Sequence, residues 1–171
     1  MIGPGIPPDA VDWAPLMRQA LELAAVGRDL GEVPVAALLL SAQGDILARA
    51  HNSPLTLHDP TAHAEMLCLR QAAAALGNYR LEGTVLLTTL EPCLMCVGAL
   101  IHARIAGLVF GARDPKSGAV LSRLNATTLD FVNHRFWIQE GVLAEECGAV
   151  LSSFFRERRG GGRRPGPAAA E

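Results

Sequence analysis

His63-Ala64-Glu65 and, later in the chain, Pro92-Cys93-Leu94-Met95-Cys96 constrain this sequence more than any other feature. One imidazole and two thiols form a good zinc-ligand set, so the fold must bring two separate segments to one point. Three ligands leave one tetrahedral position open. An open position separates a catalytic zinc from a structural one, because water can bind there and be activated. Glu65, two residues after the His, supplies a proton carrier beside that water. Cys93 and Cys96 are three apart, so on a helix they share a face.

Each half of the pattern has a plainer reading on its own. Cys-x-x-Cys alone fits a structural zinc half-site or a redox pair. A structural zinc wants four protein ligands, and the fourth would have to be Cys68, Cys147 or another His. Cys68 is five residues after His63 and falls on a different face of the same helix. A redox pair explains neither His63 nor Glu65. The sequence holds four cysteines. With two committed to metal, Cys68 and Cys147 read as buried free thiols in apolar helical contexts. Metal thiolates fit a reducing, cytoplasmic setting.

A length of 171 residues, half of them hydrophobic, suits one compact domain with a substantial core. No apolar run approaches the roughly 18 residues needed to cross a membrane. Met1 to Pro8 lacks a basic n-region and an apolar h-region, so it does not read as a secretory signal. Residues 1–9 are expected as a flexible leader, 10–159 as the folded domain and 160–171 as a disordered Gly/Arg/Pro/Ala tail. The net charge is −2, but it is unevenly spread. From residue 156 onward Arg156, Arg158, Arg159, Arg163 and Arg164 face only Glu157 and Glu171. A basic end on an acidic body can mark a phosphate-binding edge or simply a solvated tail.

Between the ends the pattern is α/β. Leu16, Ala20, Leu23 and Ala24 recur at helical spacing, predicting a helix over about 10–28. Residues 33–40 are nearly all apolar, as in a buried strand. The turn 41–45 leads into a second strand, 46–51, giving a hairpin. Asp59-Pro60 reads as an N-cap followed by Pro at the first helical position, opening a helix to about Leu76. Strands are expected over 84–89 and 105–111, with a helix opened by Pro92 between them. A last strand over 137–142 and a helix over 143–159 complete the pattern. Both metal motifs then fall at helix starts, where unpaired N–H groups favour thiolates. They also fall at the carboxyl end of a sheet, where open α/β folds bind ligands.

The combined His-x-Glu…Pro-Cys-x-x-Cys pattern is the signature of zinc nucleobase deaminases. Other blocks narrow the resemblance. Glu32-Val33-Pro34-Val35, His51-Asn52-Ser53-Pro54, His58 to Met66, Asn78-Tyr79-Arg80-Leu81, Leu90 to Cys96, Phe110 to Ala119 and Phe154 to Arg159 all resemble the bacterial tRNA-specific adenosine deaminases. The resemblance covers about residues 12–159. The Phe110–Ala119 block and the Phe-Phe-Arg-x-Arg-Arg helix point to the tRNA branch rather than to the wider cytidine and guanine deaminases. Residues 120–132 depart from the family pattern.

This resemblance implies a three-layer α/β/α cytidine-deaminase-like fold with a central five-stranded mixed sheet. It implies a homodimer, with no membrane association, that converts the wobble adenosine (34) of a tRNA anticodon stem-loop to inosine. One Zn2+ per subunit would be held by His63, Cys93 and Cys96, with Glu65 as the proton shuttle. Asn52 would hydrogen-bond the flipped base. Asp114 would contact the sugar–phosphate chain with Lys116 close by, and Arg156, Arg158 and Arg159 would meet RNA phosphates. The base must leave its stack to enter such a pocket, and an anticodon loop, already unpaired, lowers that cost. Two alternatives stay open at this point. One is a deaminase of a free base or nucleoside, which needs no basic helix. The other is a non-catalytic, zinc-stabilised RNA-binding subunit, which has no use for Glu65.

Overall fold

The computed structural model describes residues 11–160. The expected leader, and the tail beyond Gly160, lie outside the described residues. The chain runs α1 (Ala14–Asp29), β1 (Ala36–Leu40), β2 (Ile46–His51), α2 (Pro54–Leu57), α3 (Ala64–Leu76), β3 (Val85–Leu90), α4 (Leu94–Ala103), β4 (Gly107–Ala112), β5 (Trp137–Gln139) and α5 (Ala144–Gly160), with a single 3-10 turn at Ala126–Thr128. The strands form one mixed sheet in the order β2-β1-β3-β4-β5. β1 is antiparallel to both its neighbours, and β3, β4 and β5 are parallel.

Strand alternation explains the three layers. Successive side chains point to opposite faces, so each strand feeds two cores. Ala37, Leu39, Leu86, Leu108 and Phe110 join one core with Ala64, Cys68 and Ala72 of α3 and Val97 and Leu100 of α4. Leu38, Leu40, Leu87 and Val109 join the other with Met17 and Ala20 of α1 and Cys147 of α5. Both faces of the sheet are therefore covered, which is why β1, β3 and β4 are buried along almost their whole length and read as continuous apolar runs. The expected three-layer α/β/α architecture is the one observed.

Most predicted elements fall where expected, with shifts that have local causes. β1 begins at Ala36, not at residue 33, because Pro34 has no N–H to give to a ladder. The expected helix start at Asp59-Pro60 is corrected. Asp59 Oδ1 accepts both the N–H (2.7 Å) and the hydroxyl (2.6 Å) of Thr61, closing a turn there. The helix starts at Ala64, with extended His63 as its N-cap. Pro92 likewise stays outside α4, whose N-cap is Cys93. The four-residue α2 has no counterpart in the sequence pattern. β5 covers only Trp137–Gln139 and not the expected 137–142, since Gly141 and Leu143 both turn at positive φ.

The register places the important segment ends together. Ala36 pairs with His51, Ala37 with Thr88 and Leu90 with Ala112. The start of β1 and the ends of β2, β3 and β4 thus share one edge of the sheet, and the residues that follow each strand end converge there.

Candidate active site

His63 and Cys93 occupy the same local position on two different helices. Each is an N-cap with extended backbone (φ −70°, ψ 150° and φ −74°, ψ 172°), and each gives its carbonyl to the first turn, to Leu67 and Val97. The next residues, Ala64 and Leu94, are helical. An N-cap's side chain points off the helix end rather than along its flank, so two facing N-caps can share one ion. Cys96 completes the set from the first turn of α4. His63 Nδ1 lies 3.6 Å from Cys93 Sγ and 3.6 Å from Cys96 Sγ, and the two sulfurs are 3.7 Å apart.

Those separations test the zinc reading directly. Zn–S bonds of about 2.3 Å and a Zn–N bond of about 2.0 Å at a tetrahedral angle put the sulfurs about 3.8 Å apart and nitrogen about 3.5 Å from each sulfur. The three donors therefore already stand at the edges of a tetrahedron of the right size. His63, Cys93 and Cys96 are the one such cluster of metal-binding side chains among the described residues. Cys68 is no fourth ligand. Its thiol donates to the Ala37 carbonyl at 3.2 Å, and burial pushes its pKa up to about 12. Cys147 is also a buried free thiol, pushed by burial to about 11. Cys93 moves the other way. The hydrogen bond from the Cys96 thiol, helped by His63, holds it down at about 4 despite burial. One sulfur of the pair is thus readily a thiolate even before an ion binds, while Cys96 and His63 hold their protons more tightly.

Glu65 is only 3% exposed, and its Oε2 has no hydrogen-bond partner among the described residues. A buried carboxylate without a partner is costly and uncommon in a protein interior. Burial raises its pKa, offset in part by its own backbone N–H and by His63. It stands two residues past the His63 ligand, in the first turn of α3, beside the metal donors. It is free to take and release a proton there.

Asn52 follows β2 and is buried. Its Oδ1 accepts the Ala64 N–H at 2.9 Å, one of the orphan donors at the start of α3. That bond also fixes which end of the amide is which. No acceptor among the described residues takes its Nδ2 hydrogens, so the amide can donate into the site.

The expected RNA contacts are placed less uniformly. Asp114 and Lys116 lie on the segment after β4, at the same sheet edge, and Asp114 Oδ1 accepts the Lys116 N–H at 2.9 Å. The two are brought together, with Lys116 exposed. Arg156, Arg158 and Arg159 end α5. That helix starts against β4, where a Cβ on Gly111 would meet the Cys147 side chain, and it ends against the α1–β1 loop. There the Arg158 Nη2 donates to the Gly31 carbonyl at 2.5 Å and its guanidinium stacks on Phe154, 4.6 Å from the ring centre. The Arg28 Nη2 donates to both carboxylate oxygens of Glu157, at 2.6 and 2.7 Å. The arginine end of α5 therefore reaches the edge that carries the metal cluster. Arg156 and Arg159 are exposed, whereas Arg158 is partly engaged in anchoring the helix.

Two residues that sit inside the resembling blocks but have no site role assigned from sequence organise the site's flanks. Glu32, 1% exposed, accepts the N–H groups of Leu55 (3.3 Å) and Thr56 (2.7 Å) and the Thr56 hydroxyl (2.9 Å), pinning α2 beside Asn52. Glu91, 2% exposed, accepts from a group of donors after β4. A signal exists in both cases. Each carboxylate stands near a proline in an apolar stretch, and a charge buried in such a stretch has to be paired.

Comparison with known proteins agrees with this geometry. The family model for the cytidine and deoxycytidylate deaminase zinc-binding region matches residues 13–112. The tRNA-specific adenosine deaminase of Haemophilus influenzae is 48% identical over 144 residues, covering 84% of this chain and 83% of that protein. The tRNA-specific adenosine deaminase of Bacillus subtilis is 47% identical over 143 residues, covering 84% and 88%. A solved structure from work on A-to-I editing by tRNA:A34 deaminases at the wobble position of transfer RNA superposes with a TM-score of 0.77 at 40% identity, covering 79% of this chain and 97% of that one.

Proposed function

This chain belongs to the zinc-binding cytidine and deoxycytidylate deaminase family, among the tRNA-specific adenosine deaminases, and from that premise we propose that it hydrolyses the wobble adenosine (34) of a tRNA anticodon to inosine, releasing ammonia. The observation that carries the chemistry is the three-donor set at tetrahedral spacing beside a buried carboxylate with one oxygen unpartnered. It accounts for one zinc per subunit, with His63, Cys93 and Cys96 as the assigned ligands. When bound there, zinc lowers the pKa of a water at its open position towards about 7.

The remaining work falls to the protein's own groups. Glu65 would take a proton from the attacking water and give it to N1 of the adenine, so that the water oxygen bonds to C6. It would then return a proton to the C6 amine as the C6–N bond breaks and ammonia leaves. Its burial suits the task, because a carboxylate whose pKa is raised holds a proton long enough to pass it on. Asn52 donates from Nδ2 to the flipped base while Oδ1 stays locked on the Ala64 N–H, so one amide both caps α3 and orients the substrate. Asp114 and Lys116 meet the sugar–phosphate chain, and Arg156, Arg158 and Arg159 meet phosphates further along the stem-loop.

The reading extends to assembly and place. Leu55 and Leu57 of α2 and Leu94 of α4 are each more than half exposed on segments that flank the site, and a second copy covering them in a homodimer would remove that apolar surface from water. No helix among the described residues is long and apolar enough to cross a membrane. A tRNA substrate and thiolate ligands both suit a cytoplasmic setting. The deaminase domain is assigned to residues 10–159.

The test is incubation of purified, zinc-quantified protein with an unmodified tRNA carrying adenosine at the wobble position, with free adenosine, cytidine and guanine in parallel. Inosine at that single position and no small-molecule product is the expected result. Product from a small molecule alone would keep the chemistry and overturn the substrate.

A further inference from the structure

Glu91 occupies the one residue between the end of β3 and the Pro92-Cys93 ligand segment. Its carboxylate collects backbone N–H groups from a separate stretch of chain. Oε1 accepts from Val120 (3.1 Å), Leu121 (2.7 Å) and Ser122 (2.9 Å), and Oε2 accepts from Asp114 (3.0 Å) and from the Ser122 hydroxyl. Five donors on one carboxylate saturate it. The stretch they come from begins at Asp114, passes through Lys116 and returns at Ser122, so the two assigned RNA contacts ride on a loop wound around this side chain.

Backbone contacts tie the same loop to the ligand segment. The Ala119 N–H donates to the Pro92 carbonyl at 2.9 Å, and Gly118 pairs with Cys93 as an isolated bridge. Gly118 itself donates to the Asp114 carbonyl at 2.9 Å. A Cβ on Gly118 would overlap the Glu91 carboxylate and stand 2.6 Å from the Asp114 oxygen, so the winding is close enough to require glycine. The segment contributes few large apolar anchors of its own near Asp114, and its amides have the carboxylate where regular structure would offer a strand partner.

We propose that Glu91 is a positioning residue, which fixes the Asp114–Ser122 loop against the Cys93 segment so that the RNA-facing and metal-facing parts of the site hold one mutual geometry. The inference rests on the tRNA reading for what the loop touches, and on geometry alone for what holds the loop. A loop pre-set in its binding conformation loses less freedom when RNA arrives, so its anchor acts on binding more than on the chemical step.

Glu91→Gln tests this with little change in volume. It keeps one acceptor oxygen but presents an NH2 to the remaining donors. In the zinc-loaded full chain, amide hydrogen exchange at Asp114, Val120, Leu121 and Ser122 is expected to quicken by at least about tenfold, the loss of one charge-assisted hydrogen bond, while the amides of α4 stay as they were. With wobble-adenosine tRNA, KM is expected to rise about tenfold with kcat within about twofold. Unchanged exchange at 120–122 overturns the proposal. So does a fall in kcat and zinc content at constant KM, which would make Glu91 a support of the metal cluster instead. Ser122→Ala, which removes only the hydroxyl donor, should show the same pattern at about threefold, and it serves if Glu91→Gln does not fold. If the unaltered protein fails to deaminate tRNA, the function reading falls, and the exchange experiment still decides whether Glu91 holds the loop.

Discussion

The centre made by His63, Glu65, Cys93 and Cys96, only partly closed to solvent, and the arginine end of α5 reach the same edge of the sheet, but they are held there by opposite means. The centre is fixed from within. Two N-caps face each other, Asn52 caps one helix, and the flanking loops hang on the buried carboxylates Glu32 and Glu91. Among the described residues the arginine end is held by Arg158 on Gly31 and Phe154 and by Glu157 on Arg28, while Arg156 and Arg159 are exposed. Preorganisation matters where bonds are made and broken, since the reacting atoms tolerate little misplacement. It matters far less where a flexible cation meets a phosphate, because that attraction is long-ranged and undemanding in angle. The difference implies that damage to the centre should abolish turnover, whereas damage to α5 should grade affinity.

The strongest way to break the comparison is at Glu65. Glu65→Ala should retain zinc, measured by elemental analysis, and lose about 10²–10⁴-fold in kcat, the usual contribution of a positioned acid–base group. The folded state should not suffer, because the substitution removes a buried, incompletely paired carboxylate. A zinc-loaded Glu65→Ala protein with ordinary turnover would remove the carboxylate from the mechanism. Cys93→Ala should lose both metal and activity, since the two donors that remain leave half of a tetrahedron unfilled. Full zinc occupancy in that variant would show the ligand set to be wrong.

Glu32→Gln probes the frame and not the chemistry. Burial alone would raise the Glu32 pKa, but the hydrogen bonds from Thr56 and Leu55 outweigh it and hold the carboxyl below its ordinary value. A group whose pKa is lowered by folding stabilises the protein above its unfolded value, about 4.5, and that stability fades as pH falls through the lower folded value. At pH 7, Glu32→Gln should therefore cost about 1–3 kcal/mol, the range for unpairing a buried hydrogen-bonded charge. The gap between variant and parent in chemical denaturation should close as pH drops below about 4. A gap that stays constant with pH would mean that the charge of Glu32 is not what holds α2.

How much of this is legible in the sequence follows the same division. The metal centre is legible because its chemistry dictates residue type: only certain side chains bind zinc, and their spacing survives in one dimension. The sheet and its covering helices are legible because Leu38-Leu39-Leu40 and Val85-Leu86-Leu87 have to bury both faces. The start of α3 is not, because Asp59 offers a good N-cap, yet its oxygen is satisfied two residues on by Thr61. Local chemistry allows either outcome, and His63 as N-cap is the one that aims the imidazole at Cys93. For Glu32 and Glu91 the sequence signals a charge that must be paired, but not what pairs it. Their partners, Thr56 and Val120 to Ser122, are brought to them only by the closed fold, and no local pattern announces a backbone N–H.

The smallest expected effect separates the arginines from one another. Among the described residues no hydrogen bond or ion pair orients Arg156 or Arg159, so replacing both with Ala should weaken tRNA binding while leaving thermal stability unchanged. For every phosphate that no longer meets a cation, the slope of log K against log[salt] should fall by about 1. Arg158 is different, because its guanidinium also stacks on Phe154 and caps the Gly31 carbonyl. Arg158→Ala should lower affinity and also lower the melting temperature by about 2 °C, the size expected for an exposed cation–π contact in a chain of this length. A titration of binding against salt, run beside a melting curve for each variant, resolves the two kinds of arginine. If all three change the salt slope equally and none changes the melting temperature, the end of α5 is a free cationic arm. If Arg158 alone moves the melting temperature, it is the pin on which the other two are presented to RNA.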